Sequence, residues 1–202
     1  MKVKTLLPAM AMAILAGIAL IVFVLIPRMR RETRPATLPP PPMSEWITYH
    51  DDRFGFSFMY PPDWHLNVLP ADVGGGGVQI STFDFEHEPF KGNTPSDYLK
   101  IEFMVVGGDP RRATESLRDW RHRRADYDRT KVREETEGTT AGRDSFEEKV
   151  EWAPGFVSTA IYLPYTDTDY GDTVLFISTG SFRQESMEQT FRDIVSTLKF
   201  EE

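Results

Sequence analysis

The residues with the clearest capacity for chemistry are three aspartates in one turn-like segment. Asp167, Asp169 and Asp172 bring three carboxylates together, and hard cations such as Ca²⁺ prefer oxygen ligands of this kind. The spacing departs from an EF-hand loop, because Gly171 comes one position early and Ser178 stands where that loop needs a bidentate Glu. Asp and Gly are also what a tight turn between strands requires. The segment is therefore a candidate calcium-like site, and a solvated hairpin turn is the favoured alternative.

The chain shows no recognisable catalytic constellation. Its four histidines lack the i, i+4 spacing of a helical metal pair; they are His50, His65, His87 and His122. The G-x-S-x-G elbow of an acyl-transfer serine does not occur. The absence of cysteine excludes a thiol nucleophile, a thiolate zinc site and a disulfide framework. We therefore predict that the protein is not an enzyme, and we assign no catalytic residue and no cofactor.

A basic cluster stands out in the middle of the chain. Nine positive residues fall within 23 positions: Arg111, Arg112, Arg118, Arg121, Arg123, Arg124, Arg129, Lys131 and Arg133. Pairing with nearby acids and with a helix C-terminus would make this a solvated face. The other interpretation is docking on anionic lipid headgroups or on an acidic partner, with each charge contributing about 1 kcal/mol at an anionic membrane. Arg118, Arg121 and Arg124 are the candidate residues for such docking.

The charge of the chain is unevenly distributed. The whole sequence has a net charge of −8, but residues 1–42 hold six basic residues and one acidic residue. Residues 43–202 therefore hold 17 basic against 30 acidic residues, a net charge of −13. General nucleic-acid binding needs a basic footprint, so we predict no nucleic-acid partner.

The N-terminus carries an uncharged apolar stretch of 21 residues, 6–26. At 1.5 Å per residue it would span roughly 30 Å, about the thickness of the hydrocarbon core of a bilayer. We predict a single-pass signal-anchor helix there, after a short tail at residues 1–5. A cleaved signal peptide is the alternative, although no small-x-small cleavage site comes after the stretch. Residues 27–44 are first basic and then proline-rich, which predicts a semi-rigid linker of polyproline II type.

An aromatic strand begins the folded domain, which we predict over residues 45–202. Phe54, Phe56, Phe58 and Tyr60 alternate with smaller residues, so they share one face of a strand that Pro61 ends. Residues 66–69 are a possible hairpin partner, and the glycine run at 74–77 indicates a flexible, mobile loop. The remaining predictions are strands at 78–83 and 101–106, a helix from 110 to 126, a four-strand antiparallel meander within 131–179, and an amphipathic helix from 186.

Two motifs bracket this domain: FGFSF and then YPPDW within residues 54–64, and FRDIVSTLKF at residues 191–200. Together they resemble the Mog1/PsbP-like superfamily over roughly residues 45–200. The resemblance implies an α+β fold, an α/β/α sandwich whose central antiparallel sheet is flanked by helices. Members include a photosystem II subunit and a partner of a small GTPase, so this fold does not determine the activity. We carry over no functional residue, because the motifs consist of core and turn residues.

The side of the membrane on which the domain lies is predicted from opposing indications. Four arginines after the helix outnumber two lysines before it, which by the positive-inside rule favours the cytoplasm. Short-tailed anchors usually export the domain attached to them, and bacterial members of the superfamily are often anchored or lipoprotein domains. We predict a membrane-tethered, non-enzymatic, extracytoplasmic domain that binds a protein partner and supports the assembly or stability of an envelope complex. The alternative is a domain that binds a small ligand, a calcium-like metal or an anionic lipid.

Overall fold

The computed structural model describes residues 41–72, 75–85, 98–106, 110–124, 131–153, 156–167, 171–179 and 185–201. The predicted tail, the anchor helix at 6–26 and most of the linker at 27–44 lie outside these residues and stay predictions. Within the described ranges, no helix has both the length and the apolar character needed to cross a membrane.

The described part of the domain is built mainly of strands. They are β1 (Ile47–Asp51), β2 (Phe56–Tyr60), β3 (His65–Asp72), β4 (Gly75–Ser81), β5 (Lys100–Val106), β6 (Lys131–Thr140), β7 (Arg143–Ala153), β8 (Phe156–Asp167), β9 (Gly171–Thr179) and β10 (Lys199–Phe200). The α-helices are α1 (Leu117–Arg123) and α2 (Glu185–Ser196), and a 3₁₀ turn at Met43–Glu45 precedes β1.

These strands form two antiparallel sheets. The larger has the order β3-β4-β5-β9-β8-β7-β6, and the smaller has the order β1-β2-β10. The predicted meander is confirmed, because β6, β7, β8 and β9 are neighbours in sequence order. Helix α1 packs on one face of the large sheet, and the small sheet and α2 pack on the other. The predicted central antiparallel sheet with helices on both sides is confirmed in outline; the separate small sheet is an addition.

Strand β2 joins the two sheets through its aromatic face. Phe56 and Phe58 are fully buried and stack on Phe103 of β5, with ring centroids 6.1 and 4.1 Å away. The predicted hairpin partner at 66–69 is wrong, because these residues lie in β3 and pair with β4. The reason is the Pro61-Pro62 turn, closed by the Trp64 amide on the Pro61 carbonyl at 3.1 Å, after which the chain continues in the large sheet.

The glycine run belongs to the core, so the prediction of a mobile loop is wrong for its described residues. Gly75, Gly76 and Gly77 lie in β4 and are buried. A Cβ atom at Gly77 would stand 2.0 Å from the carbonyl oxygen of Phe103, and one at Gly76 would stand 2.9 Å from the Cα of Ala71. The glycines are therefore needed because the neighbouring strands approach β4 too closely for a side chain.

Helix α1 is shorter than the helix predicted over 110–126. It begins after Ser116, whose hydroxyl accepts a hydrogen bond from the Asp119 amide at 3.0 Å. Before this cap, the Arg111 amide donates to the carbonyl of Asp172 at 2.9 Å. That bond to the start of β9 keeps the preceding residues outside the helix.

The predicted last helix is confirmed as α2. Its apolar stripe is buried in the core between the two sheets and comprises Phe191, Ile194 and Val195, with Leu198 just beyond the helix. The hydroxyl of Thr197 accepts a hydrogen bond from the Met59 amide at 2.8 Å, which ties the end of α2 to β2. The chain then pairs with β2 once more as β10.

The packing around β4 predicts the result of a glycine substitution. Gly77→Ala should lower the free energy of unfolding by more than about 3 kcal/mol, because the backbone oxygen of Phe103 cannot move aside as a flexible side chain would. The matched control is Gly138→Ala in β6, where a Cβ would meet only the Ser145 hydroxyl at 3.7 Å. We expect the control to stay within about 0.5 kcal/mol of wild type. Thermal unfolding of the full-length protein measures both, and equal effects would contradict the buried-strand assignment.

Candidate functional site

The three aspartates predicted as a candidate metal site are only partly described. Asp169 and the side chain of Asp167 lie outside the described residues. Asp172 is exposed, and its carboxylate accepts a hydrogen bond from the Thr166 hydroxyl at 3.1 Å. Asp167 pairs with Gly171 at the end of the β8–β9 hairpin, as in the alternative interpretation. No group of three or more metal-ligating side chains occurs within the described residues, and the cation site stays a prediction.

The basic cluster is largely paired with acidic residues. Arg118 lies 3.4 Å from Glu137 and 3.7 Å from Glu135 in β6. Arg124 packs over the ring of Trp120 at 4.9 Å. Both predicted docking residues therefore contact side chains of their own domain, as expected if the cluster is a solvated face whose charges are paired within the domain.

Arg121, the third predicted docking residue, is buried. It is 2% exposed, and its Nε donates to Oε1 of Glu148 at 2.8 Å. The hydroxyl of Tyr162 donates to the same oxygen at 2.6 Å, and burial together with the Glu148 charge raises the pKa of Tyr162. The other Glu148 oxygen, Oε2, has no hydrogen-bond partner among the described residues. Arg121 therefore stabilises the contact of α1 with the large sheet, and its guanidinium does not face solvent.

A different group of arginines surrounds a pocket at one end of the two sheets. The pocket has a volume of about 490 Å³, within the usual range for small-ligand sites. Residues of both sheets and of the segment before α1 line it: Arg53, Phe54, Gly55, Arg111, Arg143, Pro164, Tyr165, Thr166, Phe200 and Glu201. Three arginines thus line one pocket in a domain whose net charge is strongly negative.

Arg53 forms a neutralised wall of this pocket. Its guanidinium donates to both oxygens of Asp51, at 3.0 and 2.6 Å, and also to the carbonyls of Leu69 and Gly77. Burial raises the pKa of Asp51, but the hydrogen bonds from Arg53 and Tyr49 outweigh it and lower that pKa overall. The two carbonyl bonds connect the small-sheet side to β3 and β4, and the ion pair with Asp51 neutralises Arg53, so Arg53 has a structural role and little charge left for a ligand.

Arg143 keeps its charge available. It is half-buried at the start of β7, and its Nη1 donates to the carbonyl of Pro164 at 3.1 Å. Its guanidinium carbon lies 3.5 Å from the centre of the Phe200 ring, a cation–π contact that fixes its plane. Burial lowers the pKa of Arg143. None of the described carboxylates lies within ion-pairing distance, so the charge is held in place by a carbonyl and a ring.

A backbone carbonyl also holds Arg111. Its Nη1 donates to the backbone carbonyl of Glu115 at 2.6 Å, and its Nε is buried without a hydrogen-bond partner among the described residues. The described carboxylates do not form an ion pair with it either. Arg111 and Arg143 thus present two fixed, uncompensated guanidiniums, which is the arrangement that binds carboxylate or phosphate oxygens.

Local structure explains how these side chains reach one site. Ala141 and Gly142 have positive φ angles of 50° and 76°, as a type I′ hairpin requires, and this turn places Arg143 at the start of β7. The Tyr165 hydroxyl donates to the Phe54 carbonyl at 2.7 Å and closes the wall between the sheets. Arg111 belongs to the basic cluster of the sequence analysis, but neither Arg53 nor Arg143 was singled out there, because the lining residues are far apart in sequence.

No protein-family model and no curated protein matches the chain. Among solved structures, it is similar to the cyanobacterial PsbP (CyanoP) of Synechocystis sp. PCC 6803, with 13% identity and a TM-score of 0.48 over 82% of this chain and 98% of that one. It is also similar to LpqN, involved in cell envelope biogenesis of Mycobacterium tuberculosis, with 15% identity and a TM-score of 0.48 over 78% and 91%. The first of these neighbours carries the PsbP name of the Mog1/PsbP-like superfamily that the two sequence motifs resemble.

The buried Arg121–Glu148 pair predicts a large effect of one substitution in the basic cluster. Arg121→Ala should lower the free energy of unfolding by about 3–5 kcal/mol, because it leaves the Glu148 carboxylate buried without its cation. Arg112→Ala, which removes an exposed arginine of the same cluster, is the control and should cost less than about 1 kcal/mol. Thermal unfolding of the full-length protein measures both. Similar small losses would show that Arg121 is not needed for folding.

Proposed function

We propose that this chain is a non-enzymatic binding domain whose site is the pocket of Arg111 and Arg143. One observation carries the proposal: both guanidiniums line the pocket, and each is anchored by a neutral carbonyl and not by a described carboxylate. Arginines that only stabilise a fold usually pair with acids, as Arg53 and Arg121 do here. An anionic ligand would supply the missing partner.

The distribution of charge favours anion binding at this pocket over the rest of the domain. The net charge of −13 over residues 43–202 disfavours the approach of anions to most of the domain, whereas the pocket attracts them. Glu201 is the carboxylate among the described lining residues, and it lies at the exposed rim, 3.4 Å from His50. The interior of the pocket therefore offers cations, ring faces, backbone groups and the hydroxyls of Tyr165 and Thr166, all of which can contact an anion.

The location and the wider role are proposed from the sequence. We propose that the predicted helix at 6–26 tethers the domain to the cell membrane in a single pass and that the domain lies on the extracytoplasmic side. There the bound anion would contribute to an interaction with a protein partner that supports an envelope complex. This part of the proposal rests on the sequence resemblance and on the rule that short-tailed anchors usually export the domain attached to them. The pocket would be the site through which the domain takes part in the interaction.

Anion binding predicts ligand-dependent stabilisation of the full-length protein. Sodium acetate, succinate and glycerol 3-phosphate are compared at constant ionic strength in neutral detergent, with the midpoint of thermal unfolding as the measurement. At least one of them should raise the midpoint, since a ligand at ten times its Kd contributes about 1.4 kcal/mol to the folded state. Arg143→Gln and Arg111→Gln should remove this rise.

The control variant is Arg112→Gln, which changes an exposed arginine outside the pocket by the same chemistry. It should respond to the anions as wild type does. If no anion stabilises the wild type, or if Arg143→Gln and Arg112→Gln respond alike, the pocket is not an anion site.

A further inference from the structure

We infer that the group bound in the pocket is the dianion of a phosphate monoester, an inference that rests on the anion binding proposed above. The ligand is identified by three properties of the site: the charge it must balance, the hydrogen-bond donors it must satisfy, and the space left beyond them. The first two properties come from Arg111 and Arg143, and the third comes from their neighbours in the pocket.

The first property is charge. Arg111 and Arg143 bring two positive charges that no described carboxylate balances, and both side chains are half-buried. A monocarboxylate would neutralise one guanidinium and leave the other uncompensated in a partly desolvated site, which is unfavourable. A dianion balances both. A phosphate monoester carries nearly two negative charges at neutral pH, because its second pKa is about 6.

The second property is the number of donors. A guanidinium has five N–H donors in a fixed plane, and the described contacts of Arg111 and Arg143 each use one of them on a backbone carbonyl. Three phosphate oxygens can accept hydrogen bonds from two such forks at once, and two arginines of this kind are a common phosphate-binding arrangement.

The third property is space. The pocket volume of about 490 Å³ is several times that of a phosphate group, so there is room for an organic part beside the phosphate. Pro164 and the ring of Phe200 lie beside Arg143 and offer an apolar surface for it. The site therefore fits an ester better than free inorganic phosphate.

A phosphate monoester can be a soluble molecule or a lipid headgroup, and both carry the same dianionic group. The titration below includes one probe of each source.

The experiment is a binding titration of the full-length protein by calorimetry at two pH values. The probes are glycerol 3-phosphate, its monocarboxylate analogue glycerate, neutral glycerol, and dihexanoyl phosphatidic acid, which carries the same headgroup with short acyl chains. At pH 7 we expect glycerol 3-phosphate to bind at least tenfold more tightly than glycerate, and glycerol not to bind. Arg143→Gln and Arg111→Gln should abolish binding, and Arg112→Gln should not.

The pH dependence gives a second readout. Between pH 7 and pH 5 the dianion fraction of a phosphate ester falls about tenfold, so its affinity should fall about tenfold while that of glycerate changes little. The other charged or titratable groups at the site are Arg53, Arg111, Arg143, Tyr165, Glu201 and, beside Glu201, His50. The same titration in His50→Gln is the control for any contribution of this side chain.

The outcomes separate this inference from the proposed function. If glycerate and glycerol 3-phosphate bind equally and without pH dependence, the pocket binds anions but the dianion inference is wrong. If no anion binds to a wild-type protein that unfolds cooperatively, both proposals fail. Much tighter binding of dihexanoyl phosphatidic acid would support the phosphate monoester and indicate a lipid headgroup as its source. Equal affinities of the two esters would support the phosphate monoester and show that the pocket does not distinguish the two sources.

Discussion

The stacking of Phe56 and Phe58 on Phe103 is the interaction on which the rest of this structure depends. It holds the small sheet against the large one at a ring separation of 4.1 Å for the closest pair. The pocket exists only because the two sheets are held in this way: Phe54 and Phe200 come from the small-sheet side, and Arg143 and Tyr165 come from the large sheet. Loss of the aromatic contact would therefore separate the two walls of the site as well as expose the core.

The close approach of neighbouring strands within the large sheet explains the glycine content of β4. Gly77 leaves room for the carbonyl of Phe103 in β5, and Gly76 leaves room for the backbone of Ala71 in β3. The same region receives Arg53, which bonds to the carbonyls of Leu69 and Gly77 and to Asp51. The packing of β4 and the placement of Arg53 beside the pocket therefore involve the same part of the large sheet.

The sequence predicts those parts of the fold that depend on local periodicity. The aromatic alternation of β2, the meander and the apolar stripe of α2 are all found where the pattern indicates them. It does not predict which strands pair when the pairing is decided by long-range packing, and so the glycine run and the partner of β3 are misassigned. A run of glycines in a sequence by itself indicates a flexible loop. Only the position of the neighbouring strands shows that these glycines are needed because other backbones come close to β4.

The candidate site was less predictable than the fold, and the reason is physical. Charge density along the chain draws attention to residues 111–133, but it does not separate Arg118 and Arg121, which acids from β6 and β7 neutralise, from Arg111, which they do not. The uncompensated arginines have no acidic partner among the described residues. Whether an arginine has such a partner depends on three-dimensional contacts and not on its neighbours in the sequence. Arg143 comes after an ordinary hairpin turn and has no motif around it.

The central claim is that Arg111 and Arg143 bind an anion while Arg53 does not. Arginine side-chain NMR of the full-length protein tests this directly by tracking the Nε–Hε signals during titration with succinate and with glycerol 3-phosphate. The account predicts saturable shifts of the Arg111 and Arg143 signals with at least one of these anions and an unchanged Arg53 signal, since Arg53 is already paired with Asp51. Shifts confined to exposed arginines such as Arg112, or equal shifts of all signals, would contradict it.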